Sequence, residues 1–144
     1  MTELKQIIEL AVKEEEYFYN LYKKGAKETD IESAKRLFNR LAEEEQGHKE
    51  KLLSLDIGNL RESFKPVESI ELDKELMLTP LNEIKTLKEI FKMSIQSERK
   101  ANERYNFLGK SVDDIKAKRM FGFLAGEEKK HEELLKNELA KLDI

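Results

Sequence analysis

The 144-residue sequence contains no cysteine, only two prolines and six glycines, and only two histidines. The lack of cysteine excludes disulfides, thiolate chemistry, iron–sulfur clusters and cysteine-based zinc sites. The scarcity of helix breakers, in a chain of which 40% is charged, favours a mostly helical protein. A chain of this length is expected to form a single domain, residues 1–144, with a proper core.

The sequence also lacks a strong charge of either sign and a long apolar run. Its net charge of −3 provides no electrostatic case for binding nucleic acid or an anionic membrane. Residues 1–18 are charged throughout, so we expect neither a signal peptide nor a membrane span there. A cytoplasmic location is therefore the default expectation.

Two helices are predicted in residues 2–55, where apolar residues recur every three or four positions. The first is expected to run to about Lys24 and to be ended by Gly25 and the polar segment 27–30. The second is expected to follow Thr29, because Thr29 with Glu32 three residues later resembles a capping box. The connection between the two is short, so the helices should be antiparallel neighbours.

Two more helices are predicted in residues 80–142. Thr79-Pro80 is the expected start of the first of them, since proline suits the first helical position. Residues 56–79 have poor periodicity and are predicted to form a long crossover, with one short helix near residues 72–77. A connection of this length can return the chain along a whole bundle.

The two halves of the chain repeat each other at a spacing of 83 residues. Each predicted helix carries a glutamate on its apolar face, and two of them also carry a histidine one turn later. The repeat predicts two similar helical hairpins, and hence a four-helix bundle with pseudo-two-fold symmetry. The paired residues are Glu15 and Glu98, Tyr22 and Tyr105, Glu45 and Glu128, and His48 and His131.

Four carboxylates that face one core require compensation. Burial of a bare carboxylate costs on the order of tens of kcal/mol in the idealised limit, and no lysine or arginine lies on these faces. Two divalent metal ions would cancel the four negative charges. Oxygen and imidazole ligands without sulfur suit iron or manganese, and also zinc. The alternative is a pair of core histidines that are hydrogen-bonded to glutamates.

With these residues, the sequence resembles a rubrerythrin-like member of the ferritin-like di-iron carboxylate superfamily. In that class, one Glu from each of two helices and Glu-x-x-His from each of the other two hold the metals. The resemblance covers all four helices and implies an all-α, ferritin-like bundle. Either Glu45 with Glu98 or Glu15 with Glu128 would bridge the metals. The resemblance implies six metal ligands, namely Glu15, Glu45, His48, Glu98, Glu128 and His131.

The resemblance also implies a function. The protein would be a non-haem di-iron oxidoreductase whose di-ferrous centre reacts with peroxide or dioxygen, as a peroxidase or ferroxidase, in oxidative-stress defence or iron handling. Two iron ions are the expected cofactor, and manganese or zinc would also fit. Because the cysteine-ligated rubredoxin domain of rubrerythrins is lacking, an external electron-donor protein is expected. A homodimer is compatible with a bundle of this size.

Three features set this sequence apart or leave alternatives open. Ala101 occupies a position at which rubrerythrins commonly carry a further glutamate. Iron-storage ferritins usually have a short fifth helix after the bundle, and none is predicted here, so a ferritin-type storage cage is not expected. An iron-storage assembly nevertheless stays one alternative function, and a non-redox, metal-stabilised binding module is a second alternative.

The residues around the six glutamates and histidines have simpler expected roles. Tyr22 and Tyr105 are expected either as core aromatics whose hydroxyls reach a partner, or as hydrogen-bond donors to ligand carboxylates or redox-active phenols. The neighbouring glutamates are expected on a solvated face, namely Glu14, Glu16, Glu43, Glu44, Glu103 and Glu127.

Overall fold

A computed structural model describes residues 4–66, 79–142 and 144. Within them the chain is helical and contains no strand, so the predicted all-α bundle is confirmed. The short segments 61–63 and 81–83 are 3₁₀ turns. The helices are α1 (Leu4–Glu28), α2 (Glu32–Leu53), the short α3 (Ile57–Leu60), α4 (Leu87–Ser111) and α5 (Ile115–Lys141).

The four long helices form two hairpins. Helix α1 packs along α2, and α4 packs along α5, because only short turns separate the members of each pair. The hairpins meet where α1 touches α4 and where α2 touches α5. Their apolar faces meet in a continuous core that includes Phe18, Phe38, Phe91 and Phe121, all with no exposed surface. No helix in the described ranges has the length and apolar character that a membrane span needs.

Helix α1 continues to Glu28, beyond the expected end near Lys24, so Gly25 does not end the helix. The helix does end within the polar segment 27–30, as expected. The glycine serves packing instead. A Cβ at this position would lie 2.8 Å from two ring carbons of Phe38. The missing side chain therefore lets the Phe38 ring of α2 lie directly against the backbone of α1.

The predicted capping box at the start of α2 does not form. The N-cap position is Ile31, which has no side-chain cap. The hydroxyl oxygen of Thr29 instead accepts a hydrogen bond from the backbone N–H of Ile31 at 3.1 Å. Thr29 lies two residues before the cap position, so its hydrogen bond stabilises the turn between α1 and α2 and not the first turn of α2.

Helix α4 begins at Leu87, so the predicted start at Thr79-Pro80 is also wrong. Pro80 leads only into the 3₁₀ turn at residues 81–83. The helix starts where Thr86 provides a cap, since its hydroxyl oxygen accepts a hydrogen bond from the backbone N–H of Glu89 at 3.1 Å. The local hydrogen bonds of Thr86, and not the proline, decide where the helix begins.

The described parts of the crossover lie against the bundle. Leu60 is buried in the core cluster, and the backbone N–H of Lys65 donates to the carbonyl of Ser111 at 2.7 Å. At the other end, the hydroxyl of Tyr17 donates to the carbonyl of Thr79 at 2.7 Å. The expected short helix near residues 72–77 lies outside the described residues.

Candidate metal centre

Six polar side chains meet at the centre of the bundle, and each of the four long helices contributes at least one. The four glutamates have no exposed surface, while the histidines expose 3% and 1%. Helices α1 and α4 each contribute one glutamate, and α2 and α5 each contribute a glutamate and a histidine one turn later. The structure therefore brings together the whole predicted set, Glu15, Glu45, His48, Glu98, Glu128 and His131.

His48 directs its Nδ1 atom at carboxylates from three helices. This nitrogen lies 3.1 Å from Oε1 of Glu45, 3.1 Å from Oε1 of Glu128 and 3.6 Å from Oε2 of Glu15. One imidazole thus faces the carboxylate of its own helix and two from neighbouring helices.

His131 occupies the symmetry-related position. Its Nδ1 atom lies 2.9 Å from Oε2 of Glu98, 3.0 Å from Oε1 of Glu45 and 3.5 Å from Oε1 of Glu128. The two imidazole rings are nearly parallel, with their centroids 5.6 Å apart and an angle of 10° between their planes. The pseudo-two-fold symmetry predicted from the repeat is therefore present among these side chains.

The cluster divides into two overlapping groups of potential metal ligands. One consists of Glu15, Glu45, His48 and Glu128, and the other of Glu45, Glu98, Glu128 and His131; within each group, one ligand atom per residue lies within 4.8 Å of the others. Glu45 and Glu128 are common to both groups. This grouping differs from both bridging pairs expected from the sequence, since each of those combined one shared glutamate with one unshared glutamate. Which glutamates would bridge two metals stays a prediction. The symmetry pairs Glu45 with Glu128, which are equivalent residues of the repeat.

Many polar atoms of the cluster have no hydrogen-bond partner within the described part of the chain. Buried polar atoms are rarely left in this state, because the loss of hydration is not offset. Their number and convergence are what a metal site requires, and oxygen with imidazole nitrogen is a donor set that iron, manganese or zinc accepts. The residues present therefore fit a metal centre. The atoms are Oε2 of Glu15, both carboxylate oxygens of Glu45 and Glu128, Oε1 of Glu98, Nδ1 of His48 and Nε2 of His131.

Without a metal, protons must relieve the repulsion among the carboxylates. Burial raises the pKa of Glu45 and Glu128 well above its usual range, and the neighbouring Glu15 carboxylate raises both further. Burial alone would lower the pKa of His48, but Glu128 and Glu15 outweigh it and raise the value to about 10. The cluster thus attracts positive charge, as protons or as metal.

Two tyrosines link the hairpins through the cluster. The hydroxyl of Tyr22 donates to Oε2 of Glu98 at 2.7 Å, and that of Tyr105 donates to Oε1 of Glu15 at 2.7 Å. Burial raises the pKa of both phenols well above its usual value, and Glu98 and Glu15 add to this effect, so both remain protonated donors. Both tyrosines are core aromatics that bond to cluster carboxylates, which are two of the roles expected for them.

A buried ion pair beside the cluster was not predicted. Glu14 was expected on a solvated face, but it is only 1% exposed and forms an ion pair with Arg104, which is 2% exposed. That expectation is wrong because α4 covers the side of α1 on which Glu14 lies. Burial raises the pKa of Glu14 to about 8, although Arg104 opposes the rise. Where Glu14 is deprotonated, each charge of the pair offsets the other, and the pair then leaves the balance between four carboxylates and two divalent ions unchanged.

The other neighbouring glutamates differ in exposure. Glu16, Glu43 and Glu103 are exposed, as predicted. Glu44 and Glu127 are partly covered, with 29% and 19% of their side chains exposed. No pattern within a single helix distinguishes these two groups, because the facing hairpin determines which side of each helix is covered.

Comparisons with known proteins agree with this architecture. The sequence model of the Rubrerythrin family matches residues 1–56 and 89–144, which contain all six cluster residues. The solved structure of a hypothetical protein from Pyrococcus furiosus is similar, with a TM-score of 0.76 and 25% identity, over 96% of this chain and 89% of that one. A search of curated proteins found no match.

Proposed function

The chain belongs to the rubrerythrin family, and we propose that it is a non-haem di-iron protein that reacts peroxide or dioxygen at the buried cluster. The observation that carries the proposal is the pair of overlapping four-residue groups, whose unpartnered oxygen and nitrogen atoms converge in the core. Two ions bound there would each meet three carboxylates and one imidazole.

Each residue of the cluster has a role in this proposal. Glu15 and His48 would hold one ion, and Glu98 and His131 the other, with Glu45 and Glu128 shared. Ferrous ions supply electrons and Lewis acidity, and the reduction of one peroxide molecule to two water molecules consumes two electrons and two protons.

The protein around the cluster would orient the ligands and exclude water. Tyr22 and Tyr105 hold one oxygen each of Glu98 and Glu15, which leaves the other oxygen of each glutamate for a metal. The electrons that restore the ferrous state would come from an external electron-donor protein, because no cysteine-ligated iron centre can form in this sequence. We further propose a homodimer as the working assembly.

A second candidate function is ferroxidase activity in iron handling. The observation that favours it is Ala101, which is fully buried one turn after Glu98. Rubrerythrins commonly have a further glutamate at this position, so a reaction cycle that depends on that carboxylate would be lost. Oxidation of ferrous iron by dioxygen would use the six residues of the cluster and would not depend on that further carboxylate.

The proposal is tested with protein purified without added metal, loaded anaerobically with ferrous iron and mixed with peroxide or dioxygen in a stopped-flow instrument. We expect two iron ions per chain and a rapid absorbance change with consumption of the oxidant. Faster reaction with peroxide would support peroxide reduction as the main activity, and faster reaction with dioxygen would support ferroxidase activity. No absorbance change and no oxidant consumption would exclude both and leave the non-redox binding module.

Size-exclusion chromatography separates a dimer from an iron-storage assembly, which would be far larger.

The location of the site is tested by variants of α5. Glu128→Ala combined with His131→Ala should lose bound iron, because one shared carboxylate and one imidazole are removed. The matched control combines Lys129→Ala with Glu133→Ala, since both residues lie on the exposed side of the same helix. A cluster variant that still bound two ions per chain would show that the site lies elsewhere.

A further inference from the structure

The pseudo-two-fold symmetry breaks down on the outer sides of the two histidines. The outer nitrogen of His131, Nε2, is buried and lies 3.7 Å from Oε1 of Glu44. The other oxygen of Glu44 accepts a hydrogen bond from Nε of Arg40 at 3.2 Å. Arg40, Glu44 and His131 therefore form a chain of polar groups from the surface to the cluster.

The equivalent positions of the second hairpin are occupied differently. At the spacing of 83 residues, Phe123 replaces Arg40, and its ring lies edge-on to His48 with the centroids 6.5 Å apart. Glu127 is the equivalent of Glu44, but its carboxylate lies 3.7 Å from Nζ of Lys130. An aromatic ring thus lies outside His48, and a carboxylate lies outside His131.

We propose that Glu44 is a positioning residue for His131, so that the two metal positions of the cluster differ in affinity. This inference rests on the proposed function. A shift of Glu44 by less than about 1 Å would bring Nε2 of His131 and Oε1 of Glu44 within hydrogen-bond distance. Since 29% of the Glu44 side chain is exposed, it has room for such a shift.

The hydrogen bond would act on the metal position through the tautomer of the ring. A carboxylate on the outer nitrogen keeps the proton at Nε2, so Nδ1 stays unprotonated and faces the cluster. It also holds the ring in one orientation and makes its inner nitrogen a stronger donor. The position held by Glu98 and His131 therefore binds metal more tightly than the position held by Glu15 and His48.

The inference is tested by titrating the metal-free protein with zinc in competition with a chromophoric chelator. Wild-type protein is expected to bind two zinc ions with unequal affinities. Glu44→Ala should weaken the tighter step about ten- to hundredfold and leave the other step unchanged. Glu44→Gln should recover part of this loss, because its amide oxygen still accepts a hydrogen bond. Glu127→Ala, at the equivalent position of the repeat, should leave both affinities unchanged.

A second measurement reports the position of the proton directly. In long-range ¹H–¹⁵N NMR spectra of the zinc-loaded protein, His131 should be protonated at Nε2 and bound to zinc through Nδ1. In Glu44→Ala the Nε2 proton should exchange with water faster than in the wild type. A merely structural role of Glu44 would not move this signal, and far-ultraviolet circular dichroism checks that the variants are folded.

The outcomes separate the two proposals. If wild-type protein bound no zinc, the proposed function and this inference would both fail. If it bound two ions and Glu44→Ala left the affinities and the Nε2 proton unchanged, only the inference would be overturned. Equal losses in Glu44→Ala and Glu127→Ala would also overturn it, because they would show a general effect of negative charge.

Discussion

At the scale of single residues, the tyrosine hydroxyls decide how the unshared glutamates are held. Glu15 and Glu98 come from different hairpins, and each accepts a hydrogen bond from a tyrosine of the opposite hairpin at 2.7 Å. Hydrogen bonds to charged acceptors are stronger than those between neutral groups. The two bonds therefore orient the carboxylates and also tie the hairpins together next to the cluster.

Removal of one hydroxyl should reduce stability. We expect Tyr105→Phe to lower the free energy of unfolding of the metal-free protein by about 1.5–3 kcal/mol, because Glu15 loses its donor while it stays buried. Urea unfolding in the presence of a chelator measures this change. Tyr19→Phe is the control, since Tyr19 is only partly buried and lies on α1, the helix that carries Glu15. An equal loss in both variants would show that the bond to Glu15 has no special effect.

At the scale of helices, the contact between the backbone of α1 and the Phe38 ring of α2 depends on Gly25. The Phe38 ring that fills the space beside it is itself enclosed, with the Tyr22 and Phe91 ring centroids at 6.0 and 4.9 Å. The ring therefore has little freedom to move away from an added methyl group. The cost of a glycine within a helix is offset here by the packing that it allows.

Two glycine substitutions should consequently have opposite effects. Gly25→Ala is expected to destabilise the fold by about 1–3 kcal/mol, because its Cβ would overlap the Phe38 ring. Gly126→Ala is expected to stabilise the fold by about 0.5–1 kcal/mol, since its Cβ would meet no atom within 4 Å and alanine favours helix. Thermal or urea unfolding of the two variants provides the measurement. Stabilisation by both would refute the packing role of Gly25.

At the scale of the whole molecule, the negative charges of the buried glutamates must be compensated by positive charges. The cluster contains four carboxylates, and the separate pair of Glu14 and Arg104 is neutral in itself once Glu14 is deprotonated. A buried pair of this kind does not by itself add stability, but loss of one partner leaves a buried charge uncompensated. Protons or metal ions must therefore accompany the cluster carboxylates when the protein folds.

This balance predicts how stability changes with pH in the absence of metal. The pKa of His48 rises from 6.5 to about 10 and that of Glu14 from 4.5 to about 8, while those of Glu45 and Glu128 lie well above 4.5. Each of these groups has a higher pKa in the folded than in the unfolded state. Between the two values the folded state binds more protons, so its stability falls as pH rises.

We therefore expect the free energy of unfolding in a chelator to decrease between about pH 6 and pH 8. The lowered pKa values of Glu44 and Glu132 act only below 4.5, outside this range. With saturating zinc the trend should reverse, because metal binding requires deprotonated ligands and strengthens as pH rises. Urea unfolding at several pH values, with chelator and with zinc, measures both slopes. Identical slopes would contradict a metal centre in the cluster.

The all-α bundle and the convergence of six polar residues could be predicted from the sequence, because both depend on local spacing. Residues three or four apart share a helix face, and equivalent residues of the repeat occupy equivalent places. The role of the six residues as metal ligands stays a prediction, as does the assignment of the chain to one domain. The helix ends were less predictable, since Gly25, Thr29 and Pro80 each fit a terminating or capping pattern but serve other purposes.

Contacts between the hairpins were decided only by the tertiary structure. Spacing along one helix shows which residues face inward, but not which residue of another helix they meet. The sharing of Glu45 and Glu128, the burial of Glu14 against Arg104 and the approach of Glu44 to His131 all depend on how the two hairpins pack. The sequence by itself therefore determined the helices and the set of residues at their centre. Packing decided how those residues pair, because distances between helices depend on side chains that are far apart in the chain.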